Sequence, residues 1–470
     1  MLTDAQTGQP IGNASVSVVT DGAPEMAPVM TGPDGTYSLT NVPAQARLRV
    51  DAGDYGVHEE SIGSRTRIEL PLRRAVVAGL VTDASGAPVQ GAIVTAGEAT
   101  AVTQGDGTYR LTNAADVTEV VVAGSGFTDA RVPVAADRTA NASLERVQVK
   151  AIYANGYTMA DPDEVERLIQ LIDETELNAL VVDIKQDTVY YDSQVAFFRE
   201  AETVQPLYDV NDVLKQLKDR NIYAIARMVI FQDPLVAYAR PDLAVRDEVT
   251  GDLWRNYDGV GWVNAFNEEL WHANVALAVE ASELGFDEIQ YDYVRFPSDG
   301  DLTTADFGQE YTAEARQAAI TGFLQLSHDT LAPRGIKLGA DIFGYTAFVD
   351  DEQGIGQNFA EIVPLVDYVC MMIYPSHFSE GNIQSAPGHP NDYPYETILE
   401  SLQIAEAKVP GSALKFRPWL QDFSMPLEGY RDYGAAEVRA QIDAAEDFGA
   451  SGWMLWNPSN EYQAGALNPA

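Results

Sequence analysis

Downstream of residue 147 the chain alternates between two patterns. Short apolar runs, several with like side chains at every second position, are separated by longer stretches whose apolar residues recur three and four apart. The first period is that of a strand and the second that of a helix with one buried face. Eight strand-like runs follow one another: VKAIYANGY, ALVVDIK, YAIARMVIF, EIQYDYVRFP, KLGADIFGY, DYVCMMIYP, KFRPWLQDF and GWMLWNP. Between them lie helix-like stretches such as DPDEVERLIQLIDETE, VNDVLKQLKDR, NEELWHANVALAVEASELG and AAEVRAQIDAAEDFG. In the first of these Val165, Leu168, Ile169 and Ile172 make the apolar stripe, and Asp161 before Pro162 reads as a helix cap. Such alternation builds a parallel sheet, and eight units over residues 148–470 predict a closed TIM-type (β/α)₈ barrel. An open doubly wound sheet is the alternative, but no glycine-rich phosphate loop follows any strand.

Upstream the pattern is different. Short alternating strands (Ser15 to Val19, Arg47 to Asp51, Ala92 to Thr95, Glu119 to Ala123) are divided by Gly, Pro, Asp and Asn turns, the mark of all-β sandwiches. The scheme occurs twice. TDAQTGQPIGNASVSV with TGPDGTYSLTNVP is followed by TDASGAPVQGAIVTA with TQGDGTYRLTNAA, and Asp34 and Asp106 stand 72 positions apart. Two modules are therefore expected, over residues 1–73 and 74–147, with Gly35 and Gly107 at turn positions that need a positive φ. On these motifs the copies resemble carboxypeptidase-regulatory-like, prealbumin-type sandwich modules. That resemblance implies a spacer, stabilising or attachment role beside a secreted hydrolase. The second copy opens with the strand AVVAGLVTD and the first with only MLTD. Upstream residues, and a secretion signal with them, are expected to be missing, which points to an extracellular or cell-surface location.

Composition narrows the partners. With 30 basic against 70 acidic residues the formal charge is −40, a field that argues against nucleic acid or an anionic membrane as partner. No run of apolar residues is long enough for a membrane span. The single cysteine, Cys370, sits in an apolar run and reads as core, and the five histidines show no paired metal spacing, so neither a metal nor a cofactor is expected.

The candidate chemistry lies on one face of the strands. Period two groups Asp183 and Lys185 with Val181, Arg227 with Ile225, Gln290 with Asp292, Asp341 with Gly339, and Arg417 with Trp419 and Gln421. Polar side chains recur near the downstream ends of the strands, where barrel enzymes keep their sites. The inferred site holds the carboxylates Asp183, Asp292 and Asp341, the cations Lys185, Arg227 and Arg295, the aromatics Tyr291, Tyr374, Trp419 and Trp456, the amide Gln421, and His377 in the loop PSHFSEGN. Two carboxyl groups near aromatic platforms suit glycosidic cleavage, one giving a proton and the other acting as nucleophile or positioning water. An internal salt-bridge network is the bland reading of the same set.

The motifs VVDIKQD, EIQYDYVRFPSDG, GADIFGY and MMIYPSHF resemble a bacterial family of glycoside-hydrolase-type barrel domains, over Val149 to about Tyr462. The resemblance implies a reaction class acting on a polysaccharide or oligosaccharide. By analogy with its barrels it makes Asp292 the nucleophile and Asp341 the acid/base, although many such barrels carry Glu there, with Asp183 as a weaker donor. Arg295 would keep Asp292 ionised, and Tyr374, His377 and Trp456 would line the sugar subsites. A non-catalytic glycan- or cell-wall-binding barrel and a transglycosidase are the alternatives.

Overall fold

The structure, a computed structural model, describes residues 1–20, 27–43, 45–84, 86–124, 127–146 and 148–470. Residue 147, the expected end of the second module, lies outside the described residues. The chain divides into two compact units, Met1–Arg146 and Val147–Ala470.

The first unit is built from short, mostly antiparallel strands in two similar halves. In the first half Ser15–Val19 pairs antiparallel with both Val29–Met30 and Arg47–Asp51, and Val57–Ser61 extends that sheet. Leu2–Asp4 runs parallel to Leu70–Leu72. In the second half Glu119–Ala123 pairs with Ile93–Ala96 and Ala130–Pro133, while Val77–Asp83 pairs with Thr108–Leu111 and Ala142–Leu144. Alternation decides the faces: along Arg47–Asp51 only Leu48 and Val50 are buried, against Val16 and Val18. The repeated turns match atom for atom. Asp34 accepts from the amide and hydroxyl of Thr36, as Asp106 does from Thr108. Gly35 and Gly107 have φ of +70° and +77°, and a Cβ there would meet Leu2 O at 2.3 Å and Val81 O at 2.4 Å.

The second unit is a closed barrel of eight parallel strands: β1 Val149–Ala154, β2 Ala179–Lys185, β3 Tyr223–Val229, β4 Glu288–Asp292, β5 Lys337–Phe343, β6 Tyr368–Met372, β7 Trp419–Gln421 and β8 Gly452–Trp456. Closure comes from Val149 pairing with Gly452. The helices pack outside. Pro162–Glu174 buries Val165, Leu168, Ile169 and Ile172 as the stripe requires, and Asp161 caps it by accepting from Asp163 N. Each such aliphatic side chain, once buried, contributes roughly 1.5–3 kcal/mol.

Two strands are shorter than their apolar runs suggest. β4 stops at Asp292 because Tyr293 turns to φ +51°, and β7 begins only at Trp419 because Pro418 cannot donate to the ladder. The barrel's amino end is plugged by a fully buried pair in which Arg417 Nη1 lies 2.7 and 2.9 Å from the Glu288 carboxylate, its guanidinium 3.6 Å from the Tyr368 ring centroid. Gly339 leaves room for it: a Cβ there would sit 3.1 Å from Glu288 Oε1. The FVDDEQG loop is not simply solvated as its charge suggests, since Glu352 is buried and ion-paired with Arg316.

The turns give a direct test. Gly107→Ala combines left-handed strain with a backbone clash, whereas at Gly97, with φ +59°, an added methyl would have nothing within 4 Å of it. Calorimetric unfolding should show a loss of more than ~3 kcal/mol for Gly107→Ala against ~1–2 kcal/mol for Gly97→Ala. Equal losses would mean that the close approach to Val81 is not what fixes the turn.

Candidate active site

Four side chains from successive strands meet inside the barrel. Asp183 on β2 stands opposite Arg227 on β3, and Asp292 ends β4 level with Val229; Asp341 follows on β5. Arg227 Nη1 donates to Asp183 Oδ1 and Nη2 to Asp292 Oδ2, each at 2.5 Å. Its Nε lies 3.2 Å from Asp292 Oδ2 and 3.9 Å from Asp341 Oδ2. The two outer carboxylates are therefore within about 7 Å of each other. The guanidinium also lies 5.4 Å from the Tyr153 ring centroid and 5.2 Å from that of Trp456. Tyr153 stacks on Trp456 at 4.2 Å and donates its hydroxyl to Asp183 Oδ2 at 2.5 Å.

The carboxyl groups differ in what they touch. Both oxygens of Asp183 are occupied and it is wholly buried; burial pushes its pKa up, and Arg227 and Tyr153 oppose that. Asp183 thus holds Arg227 through one oxygen and Tyr153 through the other. Asp341 accepts from Trp419 Nε1 at 2.8 Å through Oδ1, while its buried Oδ2 has no hydrogen-bond partner. Burial, and then the neighbouring Asp292 charge, hold the Asp341 pKa well above the ordinary carboxylate range. Asp292 receives Arg227 on one oxygen and, on the other, the amide of Tyr293 at 2.6 Å. The cation on Asp292 is thus Arg227 and not Arg295, as the spacing along the fourth strand suggested.

Above this cluster opens a cavity of about 710 Å³, whose lining includes Arg227, Asp292, Arg295, Tyr374, Trp419 and Trp456. Asp292 is the one carboxylate among the described residues of that lining; Asp341, buried and bonded to Trp419, is not part of it. Tyr374 and His377 come from the loop after β6. Burial and the fields of Asp341 and Asp292 raise the Tyr374 pKa, so its hydroxyl stays protonated, and burial lowers that of His377. Gln421 does not line the cavity. It accepts from Ser376 N and donates to Phe423 O, fixing the loop that carries Tyr374 and His377.

Two expected members are elsewhere. The β2–β3 register shifts between Asp183 and Lys185, so Lys185 pairs level with the outward-facing Met228. Its ammonium lies 2.7 Å from Asp233 and donates to Val229 O at 2.6 Å, buried away from the cavity. Tyr291 points outward as the odd member of β4 and packs on Phe323 of helix Ala313–Leu331, ring centroids 5.1 Å apart. Tyr153 and Tyr293 join the site without having stood out in the sequence, and Phe343, which period two groups with Gly339 and Asp341, lines the cavity. Tyr153 was legible, because it shares the inward period of Val149 and Ala151. Asp233 was not, since Asp before Pro reads first as a helix cap, which it also is.

None of the curated protein sequences matches the chain. Among solved structures, a hypothetical protein from Ruminiclostridium thermocellum ATCC 27405 is 36% identical over 40% of this chain and 96% of its own, with a TM-score of 0.36. The PgaB (BpsB) glycoside hydrolase domain from Bordetella bronchiseptica is 12% identical over 68% of this chain and 99% of its own, TM-score 0.49. A class V chitininase from Pseudomonas fluorescens Pf-5 is 14% identical over 68% and 98%, TM-score 0.43. Residues 151–462 match the family described as "Putative glycosyl hydrolase domain", and the chain belongs to that family.

Proposed function

We propose that the barrel hydrolyses O-glycosidic bonds in a polysaccharide or cell-surface glycan, outside the cell or at its surface, with its all-β modules as spacer or attachment. The observation that carries this reading is a pair of neighbouring carboxyls in different surroundings. Asp292 is paired with Arg227 and faces the cavity, and Asp341 is fully buried with a raised pKa and an unpartnered oxygen. Glycosidic cleavage needs one ionised and one protonated carboxyl, and a raised pKa at Asp341 suits it to the second part.

In this scheme Asp292 meets the anomeric carbon, its charge supported by Arg227. Asp341 is the proton source for the leaving oxygen, and the Tyr374 hydroxyl, close enough to feel both aspartates, belongs to the cavity lining. Trp456, part of the cavity lining and stacked on Tyr153, offers an apolar surface to the sugar. The spacing limit admits a nucleophile at the ~5–5.5 Å of retaining enzymes, and the direct hold of Arg227 on Asp292 favours that role over water activation. A non-catalytic glycan-binding barrel is the second reading. It is favoured by the same ion pairs, which satisfy Asp183 and Asp292 without any substrate, and by the burial of Asp341.

A glycan-library digest with the wild-type protein should release products that keep the anomeric configuration of the substrate when read by NMR at once; longer products at high substrate would indicate transglycosylation. Asp292→Asn should lower kcat by ~10³–10⁴ with glycan binding retained. A wild-type protein that binds glycans and cleaves none would establish the second reading.

Asp341→Asn keeps the acceptor for Trp419 but has no proton to give, so kcat should fall by ~10²–10⁴. The wild-type profile should decline on its alkaline side as Asp341 ionises, and Tyr374→Phe should cost ~10–10³ in kcat. The stability effect has the opposite sign. Asp341 binds its proton more tightly folded than unfolded, so its contribution is present below the unfolded pKa and is lost as pH rises toward the raised one. Asp341→Asn removes that loss and should raise the melting temperature at neutral pH by about 2–4 °C. A lower melting temperature would show that Asp341 is ionised and paired in the native state.

A further inference from the structure

The cavity wall contains a cation that the cleavage scheme does not use. Arg295 is 7% exposed and lines the cavity. Its guanidinium lies among three rings, 4.7 Å from the centroid of Phe343, 4.9 Å from Tyr293 and 5.1 Å from Trp262. One nitrogen is engaged: Nη1 donates to Phe296 O at 3.0 Å and Ser298 Oγ at 3.2 Å. Nε and Nη2 have no protein acceptor among the described residues, and no carboxylate there forms an ion pair with Arg295, in contrast to Arg227 and Arg417. Neither nitrogen is among the sealed, unpartnered atoms of the interior, so both keep access to the cavity. Burial lowers the pKa of Arg295, and the fields of Tyr293, Asp292 and Asp299 oppose that only in part.

Nε and Nη2 are the two nitrogens on one edge of a guanidinium. They present parallel N–H bonds at the spacing of a carboxylate's oxygens, and that fork is the strongest pairing arginine makes. The rings fix its plane and leave the edge free. A neutral sugar hydroxyl satisfies one such donor but does not neutralise the charge. Building on the glycoside-hydrolase reading, we propose that Arg295 is the specificity residue for a carboxylate carried by the sugar bound beside Asp292, so that the substrate is an acidic glycan. A uronic acid and the lactyl ether of a muramic acid share this chemistry. The overall charge of −40 does not oppose a single contact in the cleft, because it is screened over ~8 Å at physiological ionic strength. It does disfavour a polyanion, so the carboxylates should be widely spaced along the glycan.

The test measures binding in an Asp341→Asn background, which stops turnover without altering the cavity lining. Probes are a hyaluronan hexasaccharide and a peptide-free muramyl tetrasaccharide, each beside its carboxyl-reduced form, with a sulfated hexasaccharide as a further arm, all at fixed ionic strength. Arg295→Met should weaken at least one carboxylate probe ~10-fold or more while changing its reduced form less than ~2-fold, with Arg295→Lys in between. The arm that responds identifies uronate or lactyl ether. Equal effects on acidic and reduced probes would overturn the assignment by showing that Arg295 serves the fold or Asp292. Selective binding of the sulfated probe alone would overturn it in favour of a sulfate ester. Cleavage by the wild-type protein is scored separately: acid-selective binding without turnover would sink the hydrolase reading and leave this one standing, whereas turnover of neutral glycans with no Arg295 dependence would do the reverse.

Discussion

The barrel interior is organised by one buried guanidinium. Arg227 is almost inaccessible to solvent, yet it faces Asp183, Asp292 and Asp341 and lies against two aromatic rings. A buried charge is tolerated only where partners replace the water it has lost. Arg227 finds two such partners at 2.5 Å, and its pKa moves well above the ordinary value. A single positive charge cannot hold three negative ones in a low-dielectric interior. Asp341 is the farthest of the three from the guanidinium and has an oxygen that nothing satisfies, and its pKa is the one raised well above the ordinary carboxylate range. The proposed roles of the carboxyls rest on that difference in distance to one cation.

The two ends of the barrel use buried arginine differently. At the amino end Arg417 Nη1 and the Glu288 carboxylate form a fully buried pair, with Arg417 Nε and Nη2 unpartnered, a plug whose removal on one side would strand a charge at a cost of about 3–5 kcal/mol. At the carboxyl end the equivalent charges open onto solvent through Asp292. Conversion of a core into a site needs only that difference. Asp292 lines the cavity, and Asp341 is left with one unsatisfied oxygen.

How much of this was readable from the chain depended on whether the backbone kept its period. Where strands run regularly, alternation placed Asp183, Arg227, Asp292, Asp341 and Trp419 on the inner face correctly, and the repeated DGTY turns announced their positive φ. It failed where the backbone slips. The register shift after Asp183 sends Lys185 out of the barrel to Asp233, an outcome no count by two can foresee. Tyr291 was counted with the site although its odd position puts it against the helices. The burial of Asp341 against Trp419 depends on how large the neighbouring side chains are and how they stack, which a linear pattern does not encode.

The most consequential slip is at Tyr293. Had β4 continued to Pro297 as its composition suggests, Asp292, Val294 and Phe296 would have pointed inward, and Tyr293 and Arg295 outward with Tyr291. The left-handed turn at Tyr293, φ +51°, inverts the phase. Val294 and Phe296 join the hydrophobic layer outside the strands, while Tyr293 and Arg295 swing into the cavity lining. An aromatic residue in this conformation stores ~1–3 kcal/mol of strain, which persists only where surrounding contacts over-determine it. Here its amide is held by Asp292 Oδ1 and its ring by the Arg295 guanidinium and by Trp262. The same bend ends the strand at Asp292, orients that carboxylate through its own next amide, and brings Arg295 into the same cavity lining. A straight strand of this composition would carry Asp292 without Arg295 at its side.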